Sequence, residues 1–96
     1  MEILVTYDVA TDTKAGRKRL RRVATVCLAH GQRVQLSVFE CRLNEGQFDG
    51  FEARLLEEIN PAEDSLRIYF LPAEKSKRVR VLGKALAYEI NEPLIL

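Results

Sequence analysis

Apolar and polar positions along this chain switch between the period of a strand and the period of a helix. Residues 2–9, Glu-Ile-Leu-Val-Thr-Tyr-Asp-Val, form a β-branched and aromatic run that ends in polar turn residues, which predicts a strand. Ile3, Val5, Tyr7 and Val9 share one face of it, and Glu2, Leu4, Thr6 and Asp8 share the other. Thr11, Asp12 and Thr13 supply helix N-cap candidates, and a helix is expected from there to about His30, with Gly31 at the C′ position. Leu20, Val23, Ala24, Cys27 and Leu28 recur at helical spacing and should face a core.

Residues 33–43 are plainly extended. No Asn-Gly or Asp-Gly turn interrupts them, so the pattern alone predicts one long strand. A second helix is expected from near Glu45–Gln47 to Asn60, stopped by Pro61, with Phe48, Phe51, Leu55 and Ile59 as its apolar stripe. Residues 66–71 alternate as a further strand, and residues 79–82 are expected as a short one. The order is strand, helix, extended segment, helix, strand. It gives a βαββαβ sandwich of the α+β class, provided the middle segment folds back on itself. The whole of 1–96 then forms a single ferredoxin-like domain, with a core of about 1–71 and a C-terminal strand or tail, 72–96, at a dimer interface. Both helices cover one sheet face. Leu4, Thr6, Gln35, Tyr69, Leu71 and Phe39 are expected on the other, a set too apolar for bare solvent, which suggests a sheet-to-sheet homodimer. The apolar tail Pro93-Leu94-Ile95-Leu96 is expected to reach the partner's sheet edge.

Composition narrows the class. With 47% hydrophobic and 30% charged residues the chain reads as folded and not disordered. The net charge of +1 names no partner, but its distribution is segregated. Eight bases face one acid between Lys14 and Arg42, seven acids face one base between Asn44 and Asp64, and five bases with no acid follow between Lys75 and Lys84. One basic and one acidic surface are expected. Cys27 and Cys41 lack metal spacing, and Cys27 lies on the helical apolar stripe, which favours a buried thiol over a disulfide. No signal peptide and no membrane segment are expected, since no apolar stretch approaches about 18 residues. A reducing cytoplasm is the matching compartment.

Two features carry chemistry. Asp8, at a strand end, can hold a hard cation such as Mg²⁺, which prefers oxygen ligands, or can simply open the turn that follows. One carboxylate makes a thin metal site. A two-fold axis nearby would bring in a second Asp8, and the mutual repulsion of the pair would make the site metal-dependent. The first helix carries Arg17, Lys18, Arg19, Arg21 and Arg22 with almost no acid for i,i+4 pairing, so a phosphate backbone is a better partner for it than its own side chains. Arg33 offers a further phosphate contact. Ser37 has no histidine to activate it, and a single His with two scattered Cys supports neither zinc nor Cys/His catalysis.

Four stretches resemble one family. They are Leu-Val-Thr-Tyr-Asp-Val at 4–9, Lys-Arg-Leu-Arg-Arg-Val-Ala at 18–24, Gly-Gln-Arg-Val-Gln-Leu-Ser-Val-Phe-Glu-Cys at 31–41, and Asp-Ser-Leu-Arg-Ile-Tyr at 64–69. In order and spacing they are similar to the small CRISPR-associated adaptation proteins, the Cas-two family, often labelled endoribonucleases. The resemblance implies a ferredoxin-like homodimer with a bend near Ser37. It implies one Mg²⁺ per dimer, shared between the two Asp8 carboxylates, and a cleft lined or supported by Tyr7, Arg17 or Arg19, Arg33, Ser37 and Phe39. It implies metal-dependent cleavage of single-stranded RNA or double-stranded DNA. Alternatively, it implies a non-catalytic DNA-binding scaffold that bridges CRISPR integrase subunits during spacer acquisition.

Overall fold

A computed structural model describes residues 1–72 and 79–83 of the chain. Six elements follow the order β1 (Glu2–Asp8), α1 (Lys14–Leu28), β2 (Gly31–Gln35), β3 (Val38–Arg42), α2 (Glu45–Glu58) and β4 (Ser65–Leu71). They build one four-stranded sheet of order β2-β3-β1-β4, in which every neighbouring pair is antiparallel. This is the ferredoxin-like α+β arrangement. No helix among the described residues is long and apolar enough to cross a membrane.

The core follows from strand parity. Ile3, Val5 and Tyr7 of β1 and Phe39 and Cys41 of β3 point to one face, where Val23, Ala24, Val26 and Cys27 of α1 and Phe51 and Leu55 of α2 cover them. Each helix start is capped. Thr13 Oγ1 accepts from the Gly16 N–H at 3.0 Å. Asn44 and Gln47 form a reciprocal capping box, with Gln47 N–H donating to Asn44 Oδ1 at 2.8 Å and Asn44 N–H to Gln47 Oε1 at 2.9 Å.

The structure corrects several expectations. Residues 31–42 are two strands, not one. They join through Leu36 and Ser37, neither of which has a positive φ. The register shifts between Arg33↔Phe39 and Gln35↔Val38, so Val34 is an extra residue on β2. Such a bulge strengthens the local twist and lets the hairpin close without the Gly or Asn that tight hairpin turns usually require. The bend near Ser37 is the one the family resemblance implied. α1 stops at Leu28, and Gly31 opens β2 instead of capping the helix. A Cβ at Gly31 would fall 1.9 Å from Glu40 O, so close approach to β3 explains the glycine. Val26 is buried, whereas Leu28, expected on the core face, is half exposed.

Phe39 departs most. It pairs across the sheet with Val5, has no exposed surface, and lies under the helices, not on the open face. Gln35 pairs with Val38 across the two-residue turn, so simple alternation counted from Gln35 falls one residue out of phase there. Residues 79–83 form no strand within this chain, and the tail from residue 84 onward lies outside the described residues.

Candidate functional site

The end of β1 is where three strands' termini meet. Its ladder with β3 ends at Thr6↔Val38, whereas its ladder with β4 continues through Tyr7↔Leu66 to Asp8↔Ser65. Past Thr6, the Tyr7 N–H donates to Ser37 O at 2.9 Å and draws the β2–β3 turn against the strand. A depression of about 390 Å³ opens there, lined by Thr6, Tyr7, Asp8, Ser37, Val38, Ser65, Arg67 and Tyr69. Asp8 is exposed, on the same sheet face as Leu4 and Thr6. Its neighbours across the opening are hydroxyls, and Arg67 is the cation among the lining residues, its Nη1 donating to Tyr69 Oη at 3.2 Å.

Carboxylate and hydroxyl oxygens are the donors that Mg²⁺ prefers. Among the described residues, no group of three or more His, Cys, Asp or Glu side chains comes together. Asp8 is the one carboxylate among the residues that line the depression.

Beneath the depression is a buried polar network. The side chain of Asp64, with no exposed surface, accepts from the Tyr7 hydroxyl at 2.8 Å, from Arg19 Nε at 2.8 Å and from the Asn60 N–H at 2.9 Å, all on Oδ2. Arg19 Nη2 adds a longer bond to Oδ1, and at 3.0 Å it also reaches Glu63. Burial opposes the charge on Asp64, but the donors of Arg19, Asn60 and Tyr7 outweigh it and hold the carboxyl below its ordinary range. Burial, and then the bond to Asp64, push the Tyr7 hydroxyl upward, so it stays protonated as the donor. The bond to Asp64 likewise raises Arg19.

Of the residues singled out from the sequence, Tyr7, Asp8 and Ser37 meet at the depression. Arg17, Lys18, Arg21 and Arg22 are exposed on α1, where Arg17 Nη1 donates to Thr11 O at 3.1 Å and Arg22 lies 3.9 Å from Glu58. Arg19 is turned away from them into the Asp64 network, its side chain 16% exposed, so it supports the site from below and does not extend the basic surface. Arg33 stacks its guanidinium 5.1 Å from the centre of the Phe39 ring, and neither lines the depression. Sequence reasoning assigned no role to Asp64, Ser65 or Arg67. The stretch 64–69 contains all three, but the partners of Asp64 are Arg19 and Tyr7, 45 and 57 positions away.

Comparison with known proteins agrees with this architecture. The family model for CRISPR associated protein Cas2 matches residues 1–79. A Moorella thermoacetica protein named CRISPR-associated endoribonuclease Cas2 1 is 52% identical over 96 residues, covering both chains completely. A Chlorobaculum tepidum protein named CRISPR-associated endoribonuclease Cas2 is 48% identical, again over the full length of both. A crystal structure of Streptococcus pyogenes Cas2 at pH 6.5 superposes with a TM-score of 0.83 and 51% identity, covering 86% of this chain and all of that one. The strand order, the position of Asp8 and these similarities agree: the chain belongs to the Cas2 family of CRISPR-associated proteins.

Proposed function

We propose that this chain acts as a homodimer in CRISPR spacer acquisition and cleaves nucleic acid, single-stranded RNA or double-stranded DNA, in a Mg²⁺-dependent way. The observation that carries the proposal is the placement of Asp8: an exposed carboxylate at the end of the central strand, in a hydroxyl-lined depression, on a sheet face that also bears Leu4, Val38 and Tyr69. Pairing that face with a second copy would cover the apolar residues and bring two Asp8 carboxylates together. The names of the two full-length relatives support endoribonuclease activity.

In this scheme the two Asp8 side chains hold Mg²⁺. When bound, the ion supplies the charge that polarises a phosphodiester and makes water a better nucleophile at neutral pH. Arg67 offsets negative charge that develops on the phosphate. Arg17, Lys18, Arg21 and Arg22 hold the backbone of the nucleic acid without reading its bases.

A second reading, a DNA scaffold that bridges integrase subunits without cleaving, is favoured by the single carboxylate that each chain brings. One experiment separates the two. Purified wild type and Asp8→Ala are assayed on labelled RNA and DNA with Mg²⁺ and with chelator, while DNA binding is measured in parallel. Metal-dependent cleavage that disappears in Asp8→Ala with binding retained establishes catalysis. Binding without any Asp8-dependent cleavage establishes the scaffold.

A further inference from the structure

Building on the role proposed for Asp8, we infer that Asp64 is a positioning residue that fixes Asp8 by gripping the Tyr7 hydroxyl from beneath the sheet. The tip of β1 is held differently on its two sides. On the β3 side the ladder ends at Thr6, and beyond it the Tyr7 N–H donates to Ser37 O. On the β4 side Asp8 pairs with Ser65, the residue that directly follows Asp64. One carboxylate therefore ties together both strand ends that frame the depression: β1 through Tyr7 and β4 through its own backbone.

The grip is itself anchored. After α2, the Asp64 N–H donates to Asn60 O at 2.8 Å, the Glu63 N–H to the same oxygen at 3.0 Å, and the Asn60 N–H returns to Asp64 Oδ2. The Ala62 N–H to Asn60 Oδ1 bond, 3.1 Å, tightens the turn further. Arg19 comes from a third element, α1, and supplies the counter-charge. A buried ion pair of this kind adds little stability over apolar residues of equal volume. What it adds here is direction. The Oδ2 atom has three donors from β1, α1 and the 60–64 turn, so a shift of any one lengthens bonds to the others. Tyr7 and Asp8 are adjacent, so their side chains leave the strand on opposite faces, and fixing the Tyr7 ring below fixes the Asp8 carboxylate above.

The test measures two quantities on the full chain: amide hydrogen exchange at Tyr7, and Mn²⁺ binding by paramagnetic resonance of the free ion. Asp8→Ala defines the part of Mn²⁺ binding that belongs to the site. Tyr7→Phe removes only the hydroxyl, Asp64→Asn removes the charge, and Val26→Ala destabilises the core away from the network. In Tyr7→Phe, exchange at Tyr7 is expected to rise about tenfold, and the Mn²⁺ dissociation constant to rise about tenfold, the lower end of the effect of outer-sphere partners. Val26→Ala should leave the Mn²⁺ dissociation constant unchanged, and any rise in exchange at Tyr7 should be matched at the core amides of Val5 and Phe39. The inference is overturned if Tyr7→Phe matches wild type, or if Val26→Ala produces the same changes. If Asp64→Asn does not fold, Tyr7→Phe decides alone. If wild type binds no Mn²⁺ through Asp8, the metal role proposed above fails, and exchange at Tyr7 then decides the positioning role by itself.

Discussion

Truncating Asp64 to Ala should be among the most damaging single changes in the domain, for reasons that can be counted atom by atom. The carboxylate has no exposed surface and accepts from three parts of the fold. Its removal leaves the hydroxyl of Tyr7, a residue only 2% exposed, and the Asn60 N–H without their acceptor. Each stranded buried donor costs about 1–3 kcal/mol, so the loss of two acceptor bonds should be about 2–6 kcal/mol. Arg19 adds little to this, because Glu63 remains within 3.0 Å of it. Asp64→Asn keeps one oxygen and should lose about 1–2 kcal/mol. Urea unfolding followed by circular dichroism measures both, and an unchanged slope with denaturant concentration would show that the unfolded state is not what changed. A loss below about 1 kcal/mol in Asp64→Ala would refute the account of the network as buried and fully engaged.

The same carboxylate makes a signed prediction about pH. Its folded-state pKa lies below the ordinary 3.8, because bonds from Arg19, the Asn60 N–H and Tyr7 outweigh the effect of burial. As pH falls, the unfolded chain takes up this proton before the folded chain does. The stabilisation is therefore complete above pH 3.8 and is lost as pH falls from there through the folded-state value. The stability gap between wild type and Asp64→Asn should be constant around neutrality and shrink below pH 3.8. A gap that widened on acidification would have the wrong sign.

Three further outcomes follow from the fold. Phe39→Ala should cost about 3–5 kcal/mol in urea unfolding, since the ring is wholly buried opposite Val5 and a cavity would replace it; a loss under about 1 kcal/mol would return Phe39 to the open face. Tyr69→Asp, on the open sheet face, should leave the circular dichroism spectrum intact while light scattering shows monomers, and persistent dimers would move the subunit interface elsewhere. Cys27 should resist thiol reagents until urea unfolds the chain, because the bond with Cys41 and burial raise its thiol, and labelling at the native rate of an exposed cysteine would contradict this.

Much of this architecture is legible in the sequence, and the misses have physical causes. Strand β1 and helix α2 announce themselves through period and stop signals, since Asp8 and Pro61 both lie where apolar runs end. The hairpin does not. Leu36 is not a turn residue by type, Leu-Ser is not a dipeptide that favours tight hairpins, and the bulge at Val34 takes the part that Asn-Gly plays elsewhere. Gln35 and Val38 are three positions apart yet face each other across the turn, so counting in twos from Gln35 through the turn puts Phe39 on the wrong face. At the site, Asp8 is visible because a carboxylate ending an apolar strand stands out locally. Asp64 is not, because nothing near it in sequence shows that Tyr7 and Arg19 converge on it. Arg19 groups with the basic face for the same reason. Helical spacing sets it beside Arg22, and only the position of the 60–64 turn draws it inward.

The exposed cations of α1 and Asp8 lie on different sides of the sheet. Helix α1 covers the face that buries Ile3, Val5 and Tyr7, whereas Asp8 shares the opposite face with Leu4 and Thr6. A helix is about 10 Å across, so we expect a phosphate held by Arg17, Lys18, Arg21 or Arg22 to differ from the phosphate beside Asp8. On the proposed function these three arginines and one lysine would act as uniform binding energy, gripping substrate and transition state alike. Such energy changes KM and leaves kcat unaltered. Reversing the four charges should raise KM for nucleic-acid cleavage and flatten the dependence of binding on salt by about 0.7–0.9 in log–log slope for each phosphate no longer neutralised, with kcat unchanged. Asp8→Asn should do the converse, lowering kcat with binding and its salt slope preserved. If charge reversal on α1 lowered kcat while leaving KM alone, the helix would have to reach the reacting phosphate, and the separation of grip from chemistry across this sheet would be wrong.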